Sequence, residues 1–234
     1  MATMTSGTAS AAGASTQRSV RDELVHAAVG LLDDHGPDAL QTRKVTSAVG
    51  NSTMAVYTHF GGMRGLIAAV AQEGLSQFDA ALSIPLTDDP VADLLRCGGA
   101  YRRFAISRPH MYRLMFGSTS AHGINAPARN VLTLRVADIT EHHPSLAHVV
   151  RHVHRAMVAG RISAGSPDDD AAVLAIASQF WTMMHGFVML ELAGYFGDAA
   201  LRPVLGELVA NTLLALGDAP EAVAASRSAA APPL

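Results

Sequence analysis

Residues 41–64 carry three cations, Arg43, Lys44 and Arg64, and no carboxylate, whereas the stretch before them, 18–38, holds Asp22, Glu23, Asp33, Asp34 and Asp38. Interleaved with the cations are Thr42, Ser52, Thr53, Tyr57, Thr58 and His59, whose hydroxyl and imidazole groups can hydrogen-bond phosphate oxygens and base edges. Met54 and Ala55 suit contact with a thymine methyl, and small side chains let a helix enter a major groove closely. The chemistry on offer is contact with a nucleic-acid duplex. The same residues also suit an ordinary helical hairpin with a solvated polar face, and the pattern alone leaves both open.

The elements that must position these residues read as helices. One opens at Ser19 with Asp22 and Glu23 in its first turn, repeats Val20, Leu24, Ala27, Ala28, Leu31 and Leu32 as an apolar stripe, and stops at Gly36-Pro37. A short helix over 42–49, capped by Thr42, turns inward Val45, Ala48 and Val49, and Gly50 supplies a turn. The next helix is capped by Asn51 or Ser52. Its Val56 and Phe60 point to one side and leave Thr53, Ala55, Tyr57, Thr58 and His59 outward. Two helices this short bury too little on their own, so they must rest on the first, giving a helix-turn-helix unit of about 45 residues.

Beyond it the apolar residues keep recurring at three and four, no stretch has period two, and prolines fall at segment edges. The expectation is an all-α chain with helices over 63–83, 90–107, 109–116, 127–141, 145–162, 167–193 and 199–216. Ser166-Pro167-Asp168-Asp169-Asp170 is the expected start of the sixth of these. A mobile loop is expected over 118–125, an unstructured leader over 1–17 and an unstructured Ala/Pro-rich tail over 218–234. The domains expected between those ends are 18–65 and 66–217.

With 234 residues, 49% hydrophobic and 16% charged, the chain can bury a sizeable core. Its net charge of −3 does not mark the whole chain as a polyanion binder, so local charge decides. The single cysteine, Cys97, allows no intrachain disulfide and no paired-cysteine metal or redox site, which suits a reducing cytoplasm. The leader has no basic region or apolar run of the secretory kind. Residues 171–190 contain no Asp, Glu, Lys or Arg, yet Gln179, Thr182 and His185 interrupt them, so a buried core or dimer helix is expected and no membrane span.

No nucleophile elbow, phosphate-binding glycine loop or HExxH is present, so neither catalysis nor a cofactor is expected. His142, His143, His148, His152 and His154 cluster, and His148 with His152 has the spacing of two ligands on a helix. Without a cysteine nearby the cluster is expected to be a solvated face and not a metal site. A metal-responsive regulator or metal-binding protein is the alternative it leaves, beside a helical protein-interaction module. Soft and aromatic side chains in the middle helices, including Tyr101, Phe104, Met111, Met115, Phe116, Met157, Phe180, Met183 and Met184, supply core and candidate lining for a ligand cavity.

The segment TRKVTSAVGNSTMAVYTHFGGMRGL, 42–66, resembles the DNA-binding signature of the tetracycline-repressor (TetR) family. The shared features are the turn with its capping serine, then Tyr57, Thr58, His59 and Phe60, and Leu66 six residues on. Ala27, Ala28, Leu31 and Gly36 match the family's first helix. The resemblance implies a homodimeric repressor on double-stranded operator DNA, released by a small apolar effector. It implies that the helix 52–60 reads the operator, that Thr42 and Arg43 approach the backbone, and that Tyr57 and His59 contact phosphates. Met63 stands where the family usually has a lysine, with Arg64 next, and Asn51 replaces an apolar residue. A second segment, WTMMHGFVMLELAGYF, resembles the Trp-x-x-x-His-Gly stretch of some TetR C-terminal domains; the resemblance implies where ligand and partner bind and adds Trp181 and His185, on one helix face, to the candidate lining, with Gly186 admitting a neighbouring helix. In the family the last two long helices pair across the dimer, and Leu201, Leu205, Leu208, Val209, Leu213 and Leu216 form a stripe suited to that seam.

Overall fold

A computed structural model describes residues 19–116 and 130–230, which form eleven α-helices, with no strand among them. The leader 1–17 and the loop 118–125 lie outside the described residues. Helix α1, Val20–His35, is capped by the Ser19 hydroxyl, which accepts from the Asp22 amide at 3.2 Å, and closes at Gly36 with φ 74°. Helix α2, Thr42–Ala48, is capped by Gln41, so Thr42 falls in its first turn instead of at the cap. It buries Val45 and Thr46 while Ala48 stays exposed; the Thr46 hydroxyl can be buried because it donates to the Thr42 carbonyl at 2.9 Å. Gly50 makes the turn at φ 64°, and α3, Thr53–Phe60, follows.

Helix α4, Met63–Leu82, starts against the end of α3 so closely that a Cβ on Gly65 would lie 1.9 Å from the Phe60 carbonyl oxygen. Only glycine fits there. Helices α5, Pro90–Ser107, and α6, Pro109–Met115, complete one continuous core in which Leu24, Leu32, Val45, Val56 and Leu66 run into Phe78, Tyr101, Met111 and Tyr112. A second core joins α5 to α8, Pro144–Val158, and to α9, Asp170–Leu192, through Val91, Val150, Val153, Val173 and Phe180. Among the described residues α9 alone is long and apolar enough to cross a bilayer, and here it packs on α5 and α8.

The expected helix over 127–141 is broken. From residue 130 onward it forms 3-10 turns at Val131–Thr133 and Val136–Asp138 and then the single turn α7, Ile139–His142. The Asn130 side chain takes the Leu132 amide, a local bond that competes with helix continuation. Helix α9 starts later than 167 because the Asp169 carboxylate caps the Ala171 amide at 3.0 Å, while Ser166 only serves Asp168. The expected helix over 199–216 opens as a π-turn, Leu201–Gly206, containing Pro203, and is regular only in α10, Glu207–Ala215. Proline cannot supply the amide that a regular turn needs.

Two expectations fail more consequentially. The expected unstructured tail is ordered over 218–230: α11, Pro220–Ala229, buries Val223 and Ser226 and packs on α5 and α10. Its alanines favour helix, and its entry is held by Asp218, whose carboxylate takes Arg161 at 2.6 and 2.8 Å. Nor is the histidine cluster a solvated face throughout. His148 is buried with Nε2 2.8 Å from Asp79 Oδ1, and His152 is fully buried with neither ring nitrogen bonded. No group of three His, Cys, Asp or Glu among the described residues is placed to hold a metal ion.

Candidate nucleic-acid interface and effector cavity

Helices α2 and α3 and the first turn of α4 present one continuous outer face. On it Arg43, Lys44, Ser52, Thr53, Met54, Tyr57, Thr58, His59 and Arg64 are all exposed, Met54 at 66% and Tyr57 at 60%, and Thr42 is half-buried. None of the three cations has an ion-pair partner among the described residues. The Ser52 hydroxyl makes no capping bond, and Thr58 donates its hydroxyl to the Met54 carbonyl at 3.0 Å. Ala55 does not belong to this face. It is buried with Val56 in the first core, where α3 packs against α4, α2 and α1. Met63 is half-buried against the core, which leaves the neighbouring Arg64 as the cation at the start of α4. Arg21 on α1, which sequence reasoning did not single out, lies over the Phe60 ring at 5.4 Å and borders the same face.

A cavity of 840 Å³ lies between α5, α9, α10 and α11. Of the eleven candidate lining residues, Tyr101, Phe180, Trp181 and Met184 line it, and Met183 packs against the second core. Phe104, Met111, Met115 and Phe116 instead pack around Phe78 and α4, where a Cβ on Gly74 would meet the Met111 sulfur, and Met157 belongs to the second core. His185 sits behind Tyr101 and not in the cavity wall: its Nδ1 lies 2.7 Å from the Tyr112 hydroxyl and 3.1 Å from that of Tyr101. Burial pushes its pKa down. Gly186 has open space where a helix was expected to approach. The wall residues that sequence reasoning missed include Leu94, Gly98 and Val149 and, on the tail, Ala224, Arg227 and Ser228, although the buried Val223, Ser226 and Ala230 carry a spacing of three and four that marks an inward face of α11.

Helix α6 ties the two regions together. Tyr112 reaches the cavity side through Tyr101, while at the other end Arg108 grips Asp33 of α1 at 2.5 and 3.3 Å and the His110 ring lies against Gly36. Helix α6 thus contacts both α1 and the Tyr101–His185 group directly.

Residues 24–70 match the family model for bacterial regulatory proteins of the tetR family, and residues 94–216 match that for a tetracyclin repressor-like C-terminal domain. An uncharacterised helix-turn-helix-type transcriptional regulator of Mycobacterium tuberculosis is 24% identical over 189 residues, covering 81% of this chain and 78% of its own. A solved protein of unknown function from Rhodococcus sp. RHA1 is 25% identical with a TM-score of 0.67, over 88% of this chain and 99% of that one. BioQ, solved with its double-stranded DNA operator, shares the fold at a TM-score of 0.53 and 22% identity, over 84% of this chain and 99% of that one.

Proposed function

This chain belongs to the tetR family of bacterial regulatory proteins, and on that premise we propose that it is a cytoplasmic repressor whose two copies grip an operator until a small molecule releases them. The exposed, acid-free face of α2, α3 and early α4 carries the proposal. An α-helix that leaves Met54 and Tyr57 open to solvent beside unpaired Arg43, Lys44 and Arg64 has the surface that base-edge and phosphate contact requires. In this reading Arg43, Lys44, Tyr57, His59 and Arg64 hold phosphates, and Thr42, Ser52, Thr53, Met54 and Thr58 meet the backbone or the groove.

The domains follow the same division, a DNA-binding unit over 18–65 and an effector and dimer unit from 66 onward, which α11 extends to Ala229. The dimer seam is supported by Leu190, Val204, Leu208 and Leu214, all exposed on α9 and the segment ending in α10. Leu201, Leu205 and Leu213 of the expected stripe are buried within the chain itself. A two-fold dimer sets two recognition helices on half-sites about 34–36 Å apart, or a multiple of that. In the Trp-x-x-x-His-Gly stretch, Trp181 serves the cavity and His185 serves the link to α6.

The effector acts by favouring a state in which α6 and α4 hold the two α3 helices out of register with the operator. A coupling of about 1–3 kcal/mol changes operator affinity roughly 5–150-fold. The test is a mobility shift of a palindromic fragment from the chain's own promoter region. A shift that weakens with salt and is lost in Arg43→Ala or Tyr57→Ala, with the helical circular dichroism unchanged, is expected. Absence of a specific shift on nearby promoters overturns the reading.

A further inference from the structure

The cavity has two chemically different ends. Its inner part is walled by Leu94, Tyr101, Phe180, Trp181 and Leu213, and the polar groups there are already engaged or neutral. The Tyr101 hydroxyl bonds Tyr112, and burial pushes the Cys97 thiol up to about 12, so it carries no charge at neutral pH. The outer part carries Arg202, Glu207 and Arg227. Arg227 donates to Glu207 at 3.0 Å, which cancels one charge of each sign and leaves Arg202 exposed with no ion-pair partner among the described residues. The rim is thus net positive by one charge over a deep apolar slot. A charge taken into the slot would lose its hydration without a partner, whereas an anion at the rim keeps water and gains a guanidinium.

Resting on the effector reading above, we propose that this cavity takes an amphipathic monocarboxylate, its apolar body between α5 and α9 and its carboxylate on Arg202, with Arg227 beside it. Arg227 belongs to α11, beyond the 94–216 match. A volume of 840 Å³ lies in the range of small-molecule sites.

Trp181 is the single tryptophan and lines the cavity, so its emission reports occupancy in the DNA-free protein. Decanoate, 1-decanol and decylammonium differ in head group on one apolar body. The expected result is a saturable Trp181 response with decanoate bound about tenfold more tightly than the other two, the scale of one hydrogen bond to a charged group. Arg202→Ala combined with Arg227→Ala removes that preference and leaves decanol binding unchanged. Equal affinity for acid and alcohol, a preference that survives the double substitution, or no Trp181 response to any of the three overturns the proposal. The readout involves no operator. Absence of an acid preference in the unsubstituted protein, with an intact DNA shift, counts against this inference alone, and an acid preference without a specific DNA shift counts against the repressor reading alone.

Discussion

The hydroxyls of Tyr101 and Tyr112 lie 2.8 Å apart, and both reach the same nitrogen of His185. Tyr101 is the member of this trio that also faces the cavity, while Tyr112 belongs to α6, the helix braced on α1. A ligand that moves the Tyr101 ring must therefore disturb a hydrogen bond to α6. Tyr101→Phe keeps the ring and the cavity wall but cuts this bond, at a stability cost of about 1 kcal/mol. Effector binding read by Trp181 is expected to stay within about threefold, because the phenyl wall is retained, whereas effector-driven release of the operator weakens. Full release by the variant would show that the bond carries no coupling.

His152 sets a pH dependence of known sign. It is fully buried with both ring nitrogens unbonded, and burial, then Arg151, lowers its pKa from 6.5 to about 4. The unfolded chain binds the proton more readily, so stability is complete above about 6.5, falls as the pH drops toward 4, and levels below it. The loss over that window is roughly 3 kcal/mol. His152→Leu should flatten the dependence; burial lowers His185 and His143 in the same direction, so a smaller slope persists. Urea midpoints from pH 4 to 7.5 measure it, and an unchanged slope in the variant would reject the assignment.

Ala55 and Tyr57 sit two residues apart on α3 and should behave oppositely. Ala55 is 8% exposed, so Ala55→Leu overpacks the helix-turn-helix core at a cost of about 1–3 kcal/mol. Tyr57 is 60% exposed, and Tyr57→Ala should leave the melting temperature nearly unchanged while weakening operator binding. Thermal melts and mobility shifts on both variants separate the roles. A large melting loss in Tyr57→Ala would place that ring in the core.

How far these features could be read from sequence depended on the range of the interaction. The ends of α1 and the whole span of α5 were legible, because Ser19, Gly36 and the Asp89-Pro90 start act on their own neighbours. The burial of His152 was not legible, since spacing on α8 puts it on a face without saying that α5 covers that face. Ala55 was misplaced for the same reason: an alanine beside Val56 fits either side of a short helix until α1 is docked. The cavity was placed among the middle helices, but Gly74 lets α6 close on α4 there, and the space opens instead under a tail whose alanines looked structureless.

That tail is held by charge more than by apolar area, which makes its release testable. Arg161 bonds both oxygens of Asp218 and the Ser226 hydroxyl, and Ser226 in turn donates to Asp89 at 2.7 Å, the residue that caps α5. The Asp218 side chain is 2% exposed, so its partner loses a desolvated carboxylate in Asp218→Ala, a break worth about 3 kcal/mol. Since α11 packs its apolar side through little more than Val223, a loss of that size should let it lift from α5. Trp181 would then become more accessible to acrylamide, and effector affinity would fall while the operator shift persists, because the helices that α11 packs on are α5 and α10. A lower melting temperature with unchanged quenching of Trp181 would mean that the clasp stabilises the fold without closing the cavity.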